Sequence, residues 1–325
     1  MTETTIVPYV AGSALQRASA WATLPDDERR RRATAAAASH DADTLCGLAD
    51  AWLTLHGKAG ARVSAHTRTA YRRGVCVLLT AWAQENLLRP RRDAGALWLR
   101  QMEEEGLKPA TITVRLAAAR TLYAALRWAG ATEGDPLRDA HAGTDRVPRW
   151  EKRKPYSDTD LCRLLDAATA SDDRVLVLLG AHAGLRVSEM LTLTWNDVDL
   201  GRRELLVRHG KGDKPRTVTI SRSLAGALDA WRAESRRREI GQARAVVLPV
   251  RSAFGMRRRL RLVCMAAGVE PRGIHSLRHS SGTRVMQETN SLEEVAHHLG
   301  HSTIETARVY AKWSNTRLRA TVGEW

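Results

Sequence analysis

Apolar residues recur at helical spacing in two separate stretches of this chain, and a short basic stretch without that spacing lies between them. In the first stretch the pattern predicts four amphipathic helices, joined by short loops that contain Gly or Pro. Asp93 is the predicted N-cap of the third helix. The residues predicted to face inward are Leu45, Leu48, Trp52 and Leu55; Tyr71, Val75, Leu78, Leu79 and Trp82; Leu97, Trp98 and Met102; and Ile112, Leu116, Leu122 and Leu126. This pattern predicts an all-α domain over residues 43–138.

The regions that flank this domain have a different composition. Residues 1–42 are a polar, Ala- and Arg-rich extension, for which a loose arm and a single helix are both open alternatives. Residues 139–154 contain Gly, Pro and several basic side chains, which predict an exposed linker. Its charge suits a path across a phosphate backbone, but an ordinary solvated linker has the same composition. At 325 residues the chain is long enough for two separate cores, the second in residues 155–325.

The second domain has a helical pattern that a β-hairpin interrupts. Ser157 and Asp160 have the spacing of a capping box, and residues 175–182 are an apolar run typical of a buried helix. Residues 204–208 and 216–220 alternate like strands on either side of a Gly-rich turn. Further helices are predicted over about 223–238, 252–267, 276–288, 291–299 and 303–312. The predicted fold class is mainly α with a small β-sheet (α+β).

The charge of the chain indicates a polyanionic partner. It has 51 Lys and Arg against 36 Asp and Glu, a formal net charge of +15 at pH 7. Solvated helix faces in an arginine-rich proteome are the alternative that composition leaves open. Aromatic residues make up only 5% of the chain, which disfavours a platform for stacking single-stranded bases. Duplex DNA therefore fits better than single-stranded nucleic acid.

Cysteine usage and hydropathy indicate the compartment. The four cysteines lie in separate apolar helical patterns without CxxC pairing, and they are predicted to be buried reduced thiols: Cys46, Cys76, Cys162 and Cys264. The best apolar run, residues 175–179, is too short to cross a bilayer, and the N-terminus lacks a signal-peptide pattern. We therefore expect a soluble cytoplasmic protein.

The residues that carry chemistry stand in four motifs of the second domain: GLRVSE, GKGDKPR, HSLR and LGHSTIETARVY. Arginines can neutralise charge that develops on a phosphorane. Imidazoles and a lysine can transfer protons, and a phenol can attack phosphorus. Together these groups could cleave a phosphodiester without a metal. The six side chains are Arg186, Lys211, His275, Arg278, His301 and Tyr310.

Each of these motifs taken alone has a simpler interpretation. Arg186 and Glu189 have the spacing of a surface i,i+3 salt bridge, and a lone helical tyrosine such as Tyr310 usually lies on the core. Gly-rich basic turns are common. His275 and His279 have the i,i+4 spacing of a zinc pair, as do His297 and His301. The HExxH pattern is absent, and Gly300 is expected to end a helix before His301.

The order and spacing of the six residues resemble the catalytic domain of the tyrosine recombinases, the phage-integrase family that includes Xer-type members. The resemblance covers about residues 154–325, and the helical domain resembles the SAM-like core-binding domain of that family by pattern and position. It implies that Arg186 and Arg278 clamp the phosphate, and that Tyr310 attacks it while nearby Arg and His groups favour the phenolate. It also implies that Lys211, with Lys214 as the competing candidate, protonates the leaving 5′ oxygen.

The resemblance implies further roles in the site. His275 would assist proton transfer with the nucleophile, and His301 would point into the cleft. Glu189 would hold the guanidinium of Arg186, and His279 would support the structure.

At the level of function, the resemblance implies a site-specific DNA recombinase. It would cleave and rejoin double-stranded DNA at a specific site through a 3′-phosphotyrosine intermediate, in a homo- or hetero-tetramer. It would need no cofactor, and neither ATP nor a metal. It would have no membrane partner. Two alternatives remain open, a type IB topoisomerase-like enzyme that relaxes DNA and a non-catalytic DNA-binding relative.

Overall fold

The computed structural model describes residues 13–145, 154–208, 215–237, 246–300 and 304–313. The chain divides into two compact units, residues 1–146 and 147–325. In the described residues the fold is mainly helical with one small β-sheet, which confirms the predicted fold class. No helix in this part of the chain is long and apolar enough to cross a membrane.

The first unit is a bundle of α-helices. Helix α4 packs along α6, and α3 packs against both of them. The crossing of α4 and α6 is close, because a Cβ added to Gly74 would lie 2.5 Å from the Cβ of Ala118. The described residues of this unit form the α-helices α1 (Ala14–Ala22), α2 (Asp26–Ala38), α3 (Ala42–His56), α4 (Ala65–Ala81), α5 (Ala94–Glu104) and α6 (Pro109–Trp128).

Residues 14–38 form two helices, α1 and α2, where the sequence leaves a loose arm and one helix open. Both pack against α3. Helix α2 buries Ala33, Ala36 and Ala37, whose small side chains allow a close approach between helices. Alanine gives little contrast between an inward and an outward face, so the pattern did not predict this packing.

Two predictions in the first unit are wrong. Leu97 is 51% exposed, because the buried stripe of α5 follows Ala94, Trp98 and Met102 at i,i+4 spacing. Leu55 is also exposed, since the last turn of α3 turns Thr54 toward the core instead. Asp93 is the N-cap residue of α5, as predicted, although its side chain makes no capping hydrogen bond. The other predicted inward-facing residues are buried or partly buried in one core.

The second unit is organised around α8, whose residues 175–181 are all buried. Helices α10, α11 and α12 pack against it. The capping box at the start of α7 is confirmed, with 3.0 Å from Asp160 N to Ser157 Oγ and 3.1 Å from Ser157 N to Asp160 Oδ2. The helices are α7 (Asp158–Ala167), α8 (Ser171–Ala181), α9 (Val187–Thr192), α10 (Arg222–Arg237), α11 (Ala253–Ala266), α12 (Ile274–Thr289), α13 (Leu292–Leu299) and α14 (Ile304–Ala307).

The sheet has three antiparallel strands in the order β1-β2-β3. Strands β2 (Glu204–Val207) and β3 (Arg216–Thr219) confirm the predicted strands, and Leu205 pairs with Val218 on the buried face. Strand β1 (Val198–Asp199) was not predicted, because two residues show no alternation. The Gly-rich turn itself lies outside the described residues.

The C-terminal segment differs from the single helix predicted over 303–312. Helix α14 ends at Ala307, and a 3-10 helix follows over Arg308–Trp313. Ala307 and Tyr310 are both buried, and their three-residue separation matches the period of a 3-10 helix. Packing of this segment on the unit thus overrides the α-helical prediction.

The cysteine prediction is wrong for two of the four thiols. Cys46 and Cys264 are buried, whereas Cys76 and Cys162 are exposed. Burial raises the pKa of Cys46 to about 12, so that thiol stays protonated at neutral pH. Cys76 lies beside Cys46 at the edge of the core and is exposed, although it stands in an apolar run.

Candidate active site

The candidate site lies in the second unit, and a buried carboxylate is at its centre. Glu189 stands in the first turn of α9, and its side chain is only 2% exposed. Its Oε2 accepts a hydrogen bond from the backbone N of Arg186 at 2.8 Å, and its Oε1 accepts one from Nη1 of Arg186 at 2.7 Å. Glu189 thus holds both the backbone and the guanidinium of Arg186, which differs from an ordinary surface salt bridge.

A second arginine, Arg216 on β3, binds the same carboxylate. Its Nη1 and Nη2 donate to Oε1 and Oε2 of Glu189, each at 2.9 Å. Burial would raise the pKa of Glu189, but the hydrogen bonds from Arg216 and Arg186 outweigh it and lower the pKa to about 2. Glu189 is therefore ionised throughout the neutral range. The sequence analysis missed Arg216, although it ends the GKGDKPR motif.

Arg278 lies on α12 and is among the largest fully buried side chains, at 2% exposure. Its Nη1 donates to the carbonyl of Gly184, and its Nη2 donates to the carbonyl of Leu299 at 2.6 Å. Its Nη1 also lies 4.0 Å from Oε2 of Glu189. Burial, reinforced by the charge of Arg186, lowers the pKa of Arg278 to about 9. The group still carries its positive charge at neutral pH.

Two glycines shape the turns around these arginines. Gly184 has a φ of 62°, and a Cβ added there would lie 2.5 Å from Cδ2 of Leu299. Gly184 therefore lies in the tight turn between α8 and α9, and this turn packs against α13. Gly300 ends α13 in the left-handed conformation, with φ 63° and ψ 52°, as predicted.

Tyr310 is 3% exposed and packs on α12. Burial raises its pKa to about 12, although Arg278 and Arg186 act in the opposite direction. Arg278 and Arg186 thus favour the phenolate, as the resemblance implies, but in the free protein burial outweighs their charge. The phenol is protonated at neutral pH and has to lose its proton during an attack.

Two imidazoles extend from Tyr310 along α12. The ring centroids of His279 and Tyr310 are 5.5 Å apart, and those of His275 and His279 are 4.9 Å apart in an edge-to-face arrangement. His275 is exposed, so the row leads from solvent to the buried phenol. Lys211, Lys214 and His301 lie outside the described residues.

A polar contact between Ser281 and His298 joins α12 to α13. The His298 Nε2 and the Ser281 Oγ are 2.7 Å apart, and Ser281 also donates to the carbonyl of His182 at 3.3 Å. Burial, with smaller contributions from Arg278 and Arg216, lowers the pKa of His298 to about 4. His298 is therefore neutral at pH 7. The sequence analysis missed these residues, whose contacts cross long sequence separations.

The depressed pKa of His298 predicts a loss of stability in mild acid. His298 binds a proton near pH 6.5 in the unfolded chain and only near pH 4 in the folded chain. Its contribution to the free energy of unfolding is therefore fully present above pH 6.5 and falls as the pH drops toward 4. We expect this group to remove about 3 kcal/mol from the free energy of unfolding over that window. Urea unfolding at several pH values measures it. His298→Gln should flatten the slope, and an unchanged slope would contradict the assignment.

The packing of Tyr310 predicts a large effect at Gly282. A Cβ added there would lie 2.6 Å from Cζ of Tyr310 and 2.8 Å from Cδ1 of Leu299. We expect Gly282→Ala to lower the free energy of unfolding by about 1 to 3 kcal/mol, because the ring must move. Gly226→Ala is the matched control, since it lies on α10 with no atom within 4 Å. The control should be neutral or stabilising in urea unfolding, and an equally mild Gly282→Ala would refute the tight packing.

Comparison with known proteins shows the family to which this chain is similar. Residues 157–317 match the phage integrase family, and residues 58–130 match the phage integrase N-terminal SAM-like domain. The tyrosine recombinase XerC of Xanthomonas campestris pv. campestris (strain B100) is 31% identical over 265 residues, covering 77% of this chain and 79% of that protein. The XerC of Mycobacterium sp. (strain KMS) is 33% identical over 283 residues, covering 79% and 91%.

Solved structures have the same fold. The XerH site-specific recombinase bound to a palindromic difH substrate is similar with a TM-score of 0.66 at 17% identity, covering 98% of each chain. A lambda integrase dimer bound to a COC′ core site is similar with a TM-score of 0.63 at 17% identity, covering 81% of this chain and 76% of that one. The chain belongs to the phage integrase family and is a Xer-like tyrosine recombinase.

Proposed function

We propose that this protein recombines DNA at a specific site and that Tyr310 is its nucleophile. The observation that carries the proposal is the grouping of Arg186, Arg278 and Tyr310 around α12 and the buried Glu189. Three guanidiniums, including that of Arg216, surround one carboxylate, which leaves two positive charges in excess. That excess matches the charge of a phosphorane formed from a phosphodiester.

The proposed reaction exchanges one phosphate ester for another. The phenol oxygen of Tyr310 attacks phosphorus, the bond from phosphorus to the 5′ oxygen breaks, and a 3′-phosphotyrosine and a 5′ hydroxyl result. A 5′ hydroxyl of another strand then attacks the same phosphorus and releases Tyr310. Each step breaks and forms one phosphate ester bond, so religation needs no ATP.

Proton transfers accompany both steps. We assign the proton of Tyr310 to the imidazole row, with His275 as the acceptor and His279 as the supporting ring between them. The proton on the leaving 5′ oxygen comes from Lys211, with Lys214 as the competing donor. His301 donates a hydrogen bond to a phosphate oxygen in this proposal, and the turn at Gly300 precedes it.

The proposed domain roles follow the two units. The first unit is the core-binding domain, and we extend it to include α1 and α2 and to end after the buried Ala140. The second unit is the catalytic domain. We propose that both bind duplex DNA, consistent with the net charge of +15, and that four copies, or two pairs with a homologous partner, assemble on two sites.

The alternatives that the sequence leaves open are not favoured, because the similar proteins are named tyrosine recombinases.

Strand exchange tests the proposed function. Wild-type protein is incubated with fragmented genomic DNA that contains nicks, and fragments that become covalently attached are sequenced to identify the site. Two plasmids that carry this site are then incubated with the protein, alone and with cell extract that supplies a partner. We expect recombinant plasmids. Relaxation of plasmids without the site, with no recombinants, would favour a topoisomerase instead.

A further inference from the structure

Arg216 has a rigid attachment to Glu189 that neither arginine of the phosphate clamp has. Both terminal nitrogens of Arg216 donate to the two oxygens of one carboxylate, which fixes the plane of that carboxylate. The side chain of Arg216 is only 12% exposed. Among the described residues no group accepts a hydrogen bond from its buried Nε. Both terminal nitrogens of Arg216 thus bind Glu189, and its side chain is largely shielded from solvent.

The carboxylate of Glu189 is also the anchor of Arg186. Two hydrogen bonds join Glu189 to Arg186, at 2.8 Å and 2.7 Å, in addition to the two from Arg216. If Arg216 were absent, the negative charge of Glu189 would lie against Arg186 with only the more distant Arg278 to offset it. When Arg216 is present, its positive charge neutralises the carboxylate of Glu189, and the charge of Arg186 remains available to a phosphate.

Arg216 also packs against the turn that ends α13. A Cβ added to Gly300 would lie 2.5 Å from Cδ of Arg216, so only glycine leaves room for this side chain. Nη2 of Arg186 donates to the carbonyl of the same Gly300 at 3.3 Å. Arg216 therefore joins three elements: the strand after the Gly-rich turn, the start of α9 and the end of α13.

We propose that Arg216 is a positioning residue of the recombinase, which holds Glu189 so that Arg186 presents its charge to the scissile phosphate. This role rests on the proposed function, because it requires that Arg186 binds that phosphate. Arg216 acts through Glu189 and does not itself touch the DNA. Its loss should therefore slow the cleavage step more than it weakens DNA binding.

The test compares Arg216→Gln and Arg216→Lys with Arg208→Gln. Arg208 follows β2 in the same hairpin and also binds a buried carboxylate, that of Asp197, so it is a matched control. The substrate is a nicked duplex of the site that traps the wild-type adduct. Three quantities are measured: the Kd for this duplex, the single-turnover rate of adduct formation at saturating DNA, and the melting temperature. Rates are taken below the lowest melting temperature.

We expect Arg216→Gln to slow adduct formation by about 10- to 100-fold with a Kd within about threefold of wild type. Arg216→Lys should recover part of the rate, because it restores the charge but not the two-bond geometry. Arg208→Gln should stay within about twofold of the wild-type rate. A rate for Arg216→Gln equal to that of Arg208→Gln, or a loss found only in Kd, would overturn the positioning role.

The pH profile separates positioning from a general loss of structure. Glu189 faces Arg186 at the N-cap of its own helix, Arg216 on β3 and Arg278 on α12, and its ionised form is the one that holds Arg186. Without Arg216 its pKa should rise, so the rate of Arg216→Gln should fall at a higher pH than that of wild type. Identical acid limbs would count against the role. If wild type forms no adduct with any fragment, the proposed function fails and the positioning role fails with it.

Discussion

Replacing Tyr310 with phenylalanine is expected to abolish the covalent attachment of this protein to DNA. The substitution removes the hydroxyl and leaves the ring, which fills the space against Gly282 and Leu299. Water is a poor substitute, since nothing in the proposed reaction holds it in line with phosphorus. We expect the rate of adduct formation to fall by at least about 10⁴-fold. The rate is measured on the nicked duplex described above, with DNA binding determined in parallel.

Tyr156→Phe is the matched control for this result. Tyr156 is also buried in the second unit, and its hydroxyl accepts a hydrogen bond from the backbone N of Arg272 at 2.7 Å. Its loss should cost about 1 kcal/mol of stability and leave the rate of adduct formation within about threefold of wild type. Adducts that persist in Tyr310→Phe would show that another residue is the nucleophile.

Removal of Arg278 is expected to have the second largest effect. Arg278→Gln deletes a buried cation that holds the carbonyls of Gly184 and Leu299 and lies 4.0 Å from Glu189. We expect the rate of adduct formation to fall by about 10³-fold, because a neutral amide cannot balance the phosphorane charge. The free energy of unfolding should also fall by about 2 to 4 kcal/mol, since two buried carbonyls lose their donors.

The two effects of Arg278 are separated by comparing rates at a temperature where the variant is still folded. Arg284→Gln is the control, because Arg284 lies on the same helix and pairs with the exposed Asp158 at 2.5 Å. That surface pair should contribute less than about 1 kcal/mol, and its loss should leave the rate nearly unchanged. A folded Arg278→Gln variant with the wild-type rate would remove Arg278 from the phosphate clamp.

Local patterns in the sequence predicted much of this structure. The strong apolar periodicity of α3, α4 and α6 predicted the first core, and the alternation around the Gly-rich turn predicted the hairpin strands. The i,i+3 spacing of Arg186 and Glu189 predicted their pairing. Gly300 predicted the end of α13, where the backbone has a positive φ.

Interactions between distant segments were not predictable in the same way. Arg216 meets Glu189 across 27 residues, and Ser281 meets His298 across 17, so no local spacing indicates either contact. The burial of Tyr310 depends on how the C-terminal 3-10 helix packs on α12. For that reason the sequence indicated the cations that favour the phenolate but not the burial that raises the pKa of Tyr310 to about 12. The alanine-rich packing of α2 was missed because its pattern has little apolar contrast.

The measurement that tests the central claim most directly is the identification of the residue joined to DNA. The adduct on the nicked duplex is digested with nuclease and trypsin, and the peptide that retains a nucleotide is sequenced by mass spectrometry. We predict a single modified peptide, with the phosphate on Tyr310 and attached to the 3′ end of the cleaved strand. Modification of any other residue, or attachment to a 5′ end, would contradict the proposed reaction.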